Sequence, residues 1–424
     1  MTDAIPAPGA YKPPAAPRSR ATLEAAEEHG LAPYAERASA SRGRVHPSDR
    51  HPYRTEFQKD RDRIIHTTAF RRLQYKTQVF VNYEGDYYRT RLTHTFEAAQ
   101  IARTIARALG VNTDLAETIT LAHDLGHSPF GHSGEATLDR LVLGRLGLDP
   151  KDPANTGRGF NHTLQSLRIV EKLEQRWSDF RGLNLTWESR EGIVKHATEY
   201  DAVHSDWMAP YLPDWRASLE AQIVNFADEL TYSAHDLDDG LRSGMLRMDM
   251  PELQRLEIWR RAIHGVGDDD PELRRHKAIR RVIDLLISDL VYTSADRIAQ
   301  ADPRTPDDVR RAPGDLMAIS DDMRQMQREL KDFLYARLYR HYRVVRMFHK
   351  AERVLQQLFE AFEQDCRQLP EPTLSTIRAA QPDIRPGGNL TPEAYRVIVD
   401  YIAGMTDRYA LQEYRRLYDP FERA

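Results

Sequence analysis

The sequence predicts a mostly α-helical protein, on three observations. Apolar residues recur at three- and four-residue spacing over long segments. Alternating strand patterns are scarce, with TQVFVNYEGDYYRT (77–90) the one stretch that suits a hairpin, turning at Glu84-Gly85. No heptad run or internal repeat offers a coiled coil or solenoid instead. In chain order, residues 1–20 carry prolines at 6, 8, 13, 14 and 17 among alanines, too little apolar surface to bury a core. A flexible Pro/Ala-rich arm is accordingly drawn over 1–40. In TRLTHTFEAAQIARTIARALG (90–110), His94, Ala98, Ile101 and Ile105 fall on one helix face, and Gly110 stops the run as a C-cap glycine does. TDLAETITLAH (113–123) opens on two N-cap candidates, Thr113 and Asp114, and brings Leu115, Ile119 and Ala122 to one side. ASLEAQIVNFADELTYSAHDLDD (217–239) is a further long helix, with Leu219, Ile223, Phe226 and Leu230 apolar and Asp228 on the adjoining face. Pro, Gly and Asp clusters place loops at 147–160, 266–272, 300–314 and 366–392.

Length and composition narrow the function classes. At 424 residues the chain suits two or three units with a sizeable core. Sixty Lys and Arg against 64 Asp and Glu give a net charge of -4, which excludes a wholesale basic nucleic-acid binder. No uncharged apolar run approaches the ~20 residues of a membrane span, and the amino terminus lacks the apolar stretch of a secretory signal. A single cysteine, Cys366, cannot form an intrachain disulfide, which points to a reducing cytoplasm.

Eight of the 16 histidines lie between residues 94 and 235. Four pieces of this region carry chemistry. His94 lies one turn after Arg91. His123-Asp124 ends its helix and runs into a Gly/Pro-rich loop bearing His127 and His132, with Glu135 three residues on. His162 lies in FNHTLQSLRI, and Asp228 on the later helix. Imidazole nitrogens with carboxylates suit Mg²⁺ or a divalent first-row metal with open positions for water or substrate oxygens. A lone His on an apolar helix face is more often a hydrogen-bonded core residue than a ligand, and His-Asp is a common dipeptide. The joint pattern in a helical context carries the weight.

At these residues the chain resembles the HD-domain phosphohydrolases, and within them the deoxyguanosinetriphosphate triphosphohydrolase-like family. RTEFQKDRDRIIHTTAFRRLQYKTQVF (54–80), RLTHTFE (91–97), LAHDLGHSPFGHSGE (121–135) and QIVNFADELTYSAHDLDD (222–239) occur in that family's order and spacing, and YRHYRV (339–344) is similar to a segment near its carboxyl terminus. The resemblance implies an HD-domain helical core over 41–300, holding the metal and dNTP site, and an additional C-terminal helical region over 301–424 with regulatory or oligomer contacts. It implies a divalent metal, Mg²⁺ or Mn²⁺ before other first-row ions, on His94, His123, Asp124 and Asp228. The implied reaction is attack on the α-phosphorus of a deoxynucleoside triphosphate, releasing deoxynucleoside and intact triphosphate, in control of dNTP pools. His132 and Glu135 resemble the family's catalytic His/acid pair. Arg91, His127 and His162 match positions that contact the triphosphate. Tyr232 and Asp236 match residues that approach the deoxyribose, and Gln78 aligns with a glutamine that meets the sugar. Glu229 stands where some animal relatives carry a phosphate-binding Lys, and Lys331 where one relative offers Arg to the phosphates. The ordinary reading of Tyr232 is core packing, and of Asp236 a helix-end acidic cluster.

Local basic segments remain at KDRDRII (59–65), FRRLQYK (70–76) and KDFLYARLYRHYRVVRMFHK (331–350), the last two with interleaved aromatics. They suit a solvated helical face, an effector dNTP site at contacts between subunits of a homo-oligomer, or a weak single-stranded nucleic-acid groove. The alternatives to the dNTP reading are another HD phosphohydrolase, acting as nucleotidase or phosphodiesterase, and a non-catalytic nucleotide or nucleic-acid sensor. His196, His204 and His235 have no role at this level.

Overall fold

The computed structural model describes residues 17–78, 88–155, 158–196, 206–267 and 270–423. Its helices in order are α1 (Arg20–Gly30), α2 (Glu56–Ile65), α3 (Thr68–Arg72), α4 (Arg91–Ala108), α5 (Thr113–His123), α6 (Gly131–Arg145), α7 (His162–Arg168), α8 (Trp187–Val194) and α9 (Leu219–Arg242). There follow α10 (Pro251–Arg255), α11 (Glu257–Ile263), α12 (Pro271–Ala301), α13 (Pro306–Arg311), α14 (Asp321–Leu334), α15 (Tyr342–Gln364), α16 (Glu371–Ala380), α17 (Pro392–Ala403) and α18 (Asp407–Tyr418). Among the described residues β-structure is confined to isolated bridges, Thr77 with Thr90 and Gln175 with Gly182. The first lies at the mouth of the expected hairpin, whose turn falls outside the described residues. Among the described residues no helix is long and apolar enough to cross a membrane.

The three helices expected from periodicity are present as α4, α5 and α9, and they form the centre of the molecule. α4 packs on both α5 and α9. The expected stripe of α4 is fully buried, His94, Ala98, Ile101 and Ile105 all pointing inward. Gly110 adopts φ +72 just past the helix, as a C-terminal glycine should. One cap differs from expectation. Asn112, not Thr113 or Asp114, caps α5, its side chain accepting from the Asp114 and Leu115 N–H groups.

Two expectations are corrected. The arm drawn over 1–40 ends earlier. From Arg20 the chain is helical, capped by Ser19, and Arg20 pairs with Glu24 and Glu56 at 2.6 Å. Ala35 and Ala38 then enter the hydrophobic clusters. The prolines stop at Pro17, and the Ala/Glu-rich residues beyond favour a helix with a partner to pack on. The loops at 300–314 and 366–392 likewise contain α13 and α16, each with a proline in its first turn. There the ring's fixed φ suits a helix start, so proline marks a beginning rather than a break.

The boundary drawn at 300 is not a break in packing. Met317, Met323, Met326 and Leu330 share one cluster with Ile105 of α4 and Ile223, Leu230 and Leu237 of α9. α15 packs on α6, with Leu355, Phe359 and Phe362 against Leu138 and Phe160. The carboxyl-terminal helices therefore complete the core.

Arg310 of α13 ties distant segments together. It is buried and reaches Glu191 of α8 at 2.7 Å, Glu36 at 2.5 Å and Asp307 at 3.1 Å. Arg310→Ala strands two buried carboxylates, an expected loss of roughly 3–5 kcal/mol. Denaturant titration checks this, and a change below about 1 kcal/mol would contradict the tie.

Candidate active site

The site is assembled where α4, the end of α5, the start of α6 and the middle of α9 meet. Thr90 caps α4 and sets Arg91 and His94 in its first turn. α5 ends at His123, and a single 3₁₀ turn, Asp124–Gly126, turns the chain toward α6. Gly126 allows α7 to approach, since a Cβ there would lie 2.1 Å from the His162 carbonyl oxygen. Phe130 and Gly131 both take left-handed φ, 64° and 61°, to start α6 and present His132 and Glu135. Phe130, a non-glycine in that region, is held by Asp407 of α18, whose Oδ1 accepts its N–H at 2.9 Å.

The structure brings together the four residues of the expected metal set. His94 Nε2 is 2.7 Å from Asp228 Oδ1, and His123 Nε2 is 3.5 Å from both Asp124 Oδ1 and Asp228 Oδ1. All four side chains are largely buried. Outer partners fix which nitrogen each ring turns inward. His123 donates Nδ1–H to the Thr120 carbonyl at 2.5 Å, so its Nε2 bears a lone pair. His235 donates Nε2–H to Glu97, so its Nδ1 accepts from His94 Nδ1 at 3.2 Å. His94 Nε2 is thereby turned toward Asp228 Oδ1. Burial pushes His235 down to about 4, which keeps the ring neutral in this relay. Burial works against ionisation of Asp124 and Asp228, yet His123, with Arg91 beside Asp124, holds both carboxyls well below the usual range.

These atoms fit a divalent cation. His123 Nε2 and Asp124 Oδ2 are buried with no hydrogen-bond partner among the described residues. Two ionised carboxylates beside inward-facing imidazole nitrogens are a donor set for Mg²⁺ or a first-row metal.

A cavity of about 750 Å³ opens on this cluster. Gln78, Arg91, Asp124, His127, His132, His162, Asp228, Tyr232 and Lys331 line it, so most of the expected substrate residues share one wall system. Arg91 gives Nη1 to Asp124 Oδ1 at 3.0 Å, while its Nε and Nη2 are buried without a partner among the described residues. His127 stacks on His162 with ring centroids 3.9 Å apart. Asp236 does not line the cavity. It lies behind the wall, accepting from the Tyr339 hydroxyl, and burial raises it well above the usual carboxylate range. Lys331 of α14 reaches over Glu229, so the acid after Asp228 is paired with a cation from another helix.

The expected His132/Glu135 pair is looser than its spacing implies. Glu135 accepts from His162 Nδ1 at 2.9 Å and from the His162 backbone N–H at 2.8 Å, but approaches His132 Nδ1 only to 3.7 Å. Asn161 caps α7 and points its first turn at the carboxylate. Glu135 therefore orients His162 first. His132 is 61% exposed and stands at the cavity wall.

A family model described as HD domain matches residues 91–233, and one described as phosphohydrolase-associated domain matches 317–416. The chain is 47% identical over 401 residues to a deoxyguanosinetriphosphate triphosphohydrolase-like protein of Geobacter metallireducens, covering 94% of this chain and 97% of that one. It is 49% identical over 397 residues to a protein of the same description from Bordetella pertussis, covering 92% and 96%. The chain belongs to the deoxyguanosinetriphosphate triphosphohydrolase-like family.

For this family member, several residues near the site escape reading by motif. His235 and Glu97 brace His94. They were accessible through spacing, His235 lying two turns after Asp228 and Glu97 one turn after His94. His196 faces Asp228 with no periodic signal to mark it. His204 lies outside the described residues. Tyr335 and Tyr339 enter the cavity from a π-helical turn that continues α14. With Lys331 and Phe348 they assign part of the aromatic, basic segment 331–350 to this cavity. In the other basic segments Lys59, Arg61, Arg63, Arg72 and Lys76 are each engaged within the chain.

Asp407 ties the carboxyl-terminal region to this wall. Its Oδ2 accepts from the Thr77 N–H at 2.8 Å and from the Thr77 hydroxyl, next to Gln78, while Oδ1 holds Phe130. Asp407→Ala leaves two buried N–H groups unsatisfied, an expected loss of about 2–5 kcal/mol. Turnover should fall with Mn²⁺ affinity retained. Thermal unfolding, steady-state assay and metal titration together check this, and a variant of unchanged stability and turnover would contradict it.

Proposed function

We propose that the chain is a metal-dependent dNTP triphosphohydrolase, cleaving deoxynucleoside triphosphates to deoxynucleoside and inorganic triphosphate. The carrying observation is that one cavity opens on the Asp124 and Asp228 carboxylates beside the His123 ring and also takes in unpartnered Arg91 donors. Buried guanidinium N–H groups with nothing to bind are matched by phosphate oxygens, where charge-assisted bonds are strong. Lys331 and His127 extend this lining along a polyphosphate, and His162, fixed by Glu135, stacks beneath His127.

His94, His123, Asp124 and Asp228 would hold a divalent cation, which when bound would neutralise charge and acidify water. The chain's own residues do the rest. Arg91 holds the triphosphate so that its α-phosphorus faces the His/Asp cluster. Water adds to that phosphorus and the bond to the 5′ oxygen breaks. The water loses a proton and the departing alkoxide gains one, and His132 is the exposed imidazole at the wall suited to that transfer. Tyr232, backed by Asp236 and Tyr339, forms a stiff polar wall on the sugar side, and Gln78 Oε1 is buried without a partner beside it. This wall favours a sugar without a 2′ hydroxyl.

The test is a panel of dNTPs and NTPs with Mn²⁺ or Mg²⁺, singly and in pairs, with products separated by chromatography. Triphosphate and deoxynucleoside from dNTPs, with NTPs poorer, are expected. dNMP and pyrophosphate, orthophosphate alone, or no product with any combination contradict the reading. Sigmoidal dependence in the paired arms would add an effector site.

A further inference from the structure

We infer that His196 is a further ligand of the cation centre, joining His123 and Asp228 and raising its imidazoles to three. The inference rests on the cation centre proposed above and concerns a residue outside the four of the HD set.

His196 lies two residues past α8 and is buried, yet it lines the active-site cavity. Its Nδ1 is 2.8 Å from Asn225 Oδ1. That oxygen is an acceptor only, so Nδ1 carries a hydrogen and, in the neutral ring, Nε2 carries a lone pair. Nε2 lies 3.5 Å from Asp228 Oδ2, a carboxylate oxygen of the cation centre. In that state a cation placed between Nε2 and Oδ2 would be held by both. The His123 ring stands beside it, centroids 4.9 Å apart, its Nε2 bare for the same reason. One ligand atom from each of His123, His196 and Asp228 lies within 4.8 Å of the others, as close as the ligand atoms of His94, His123 and Asp124 do. The two groups share His123, whose Nε2 has a single lone pair. They therefore describe one centre approached from two sides, not two ions. Asn225, one turn before Asp228 on α9, is the positioning residue that turns the His196 ring inward.

A third imidazole has a chemical consequence. Nitrogen-rich sites favour first-row transition ions over Mg²⁺, which prefers oxygen and water. The centre should thus bind Mn²⁺ far better than Mg²⁺ and lose much of that preference without His196.

The experiment uses the full chain and Mn²⁺ alone, without nucleotide, so that it does not depend on which substrate is cleaved. Pulsed electron paramagnetic resonance counts the imidazole nitrogens on bound Mn²⁺, and calorimetry gives its affinity, for wild type, His196→Ala and His196→Gln. The expected result is three coordinated imidazoles falling to two, with Mn²⁺ affinity lower by about 100-fold or more, beyond the effect of outer-shell partners. Mg²⁺ affinity should fall less. Asn225→Ala should weaken Mn²⁺ binding by about 10-fold, an outer-shell effect, with the nitrogen count kept. Two imidazoles in wild type, or unchanged count and affinity in both folded His196 variants, would overturn the inference. A wild type that binds Mn²⁺ as expected but cleaves no dNTP would fail the proposed function and leave this inference standing.

Discussion

Asp124→Ala is expected to lose bound metal and turnover together, turnover by roughly 10⁴-fold or more, the scale on which removal of one member of a concerted unit acts. Asp124 is fully enclosed among His123, His127 and Arg91, which contact its Oδ1 at 3.5, 3.1 and 3.0 Å. Alanine removes the anion that these groups surround. The cation centre then loses one of two carboxylates, and Arg91 loses the partner that sets its direction. Because a buried charge cluster is being unbalanced, Asp124→Asn serves as the isosteric control for folding. Metal content by elemental analysis and steady-state assay check both arms. A folded Asp124 variant that is metal-free and fully active would contradict the ligand assignment.

His132→Ala should behave differently. It should keep the metal and lose turnover by about 10²–10⁴-fold, the usual weight of a general acid or base. His132 is exposed and touches none of the cation ligands, so its removal leaves the cluster's geometry alone. Since Glu135 grips His162 more closely than His132, Glu135→Gln should disturb the His127–His162 stack as well as proton transfer. Its Km for dNTP should therefore rise, where that of His132→Ala changes little. Equal Km and kcat effects in the two variants would show that the acid acts on His132 alone.

Much of this site is readable from residue order because it rests on local geometry. His94 and Arg91 share a helix turn, Asp228 and Tyr232 are four apart, and His123-Asp124 ends a helix at a glycine loop. Periodicity carries such facts, and α4, α5 and α9 were accessible for the same reason. What escaped depends on contacts far apart in sequence. Glu135 is three residues from His132 and 27 from His162, yet the cap at Asn161 places it on the latter. Asp407 is 330 residues from Thr77, and no spacing announces that contact. The prolines at 306 and 372 mislead for another reason. The same fixed φ that ends a helix also begins one, and only the packing of the residues after the proline distinguishes the two. Asp236 lies on α9 two turns after Asp228, but the Tyr339 hydroxyl, itself at the cavity wall, donates to it from the cavity side.

Attack at the α-phosphorus, with the triphosphate leaving whole, is the step on which everything proposed for this site depends. Hydrolysis of a dNTP in H₂¹⁸O with Mn²⁺, followed by ³¹P isotope-shift spectroscopy and mass spectrometry of both products, tests it most directly. One ¹⁸O on a terminal phosphorus of inorganic triphosphate, with unlabelled deoxynucleoside, is the expected result. Label in the deoxynucleoside, or its appearance in orthophosphate, pyrophosphate or dNMP, would contradict it.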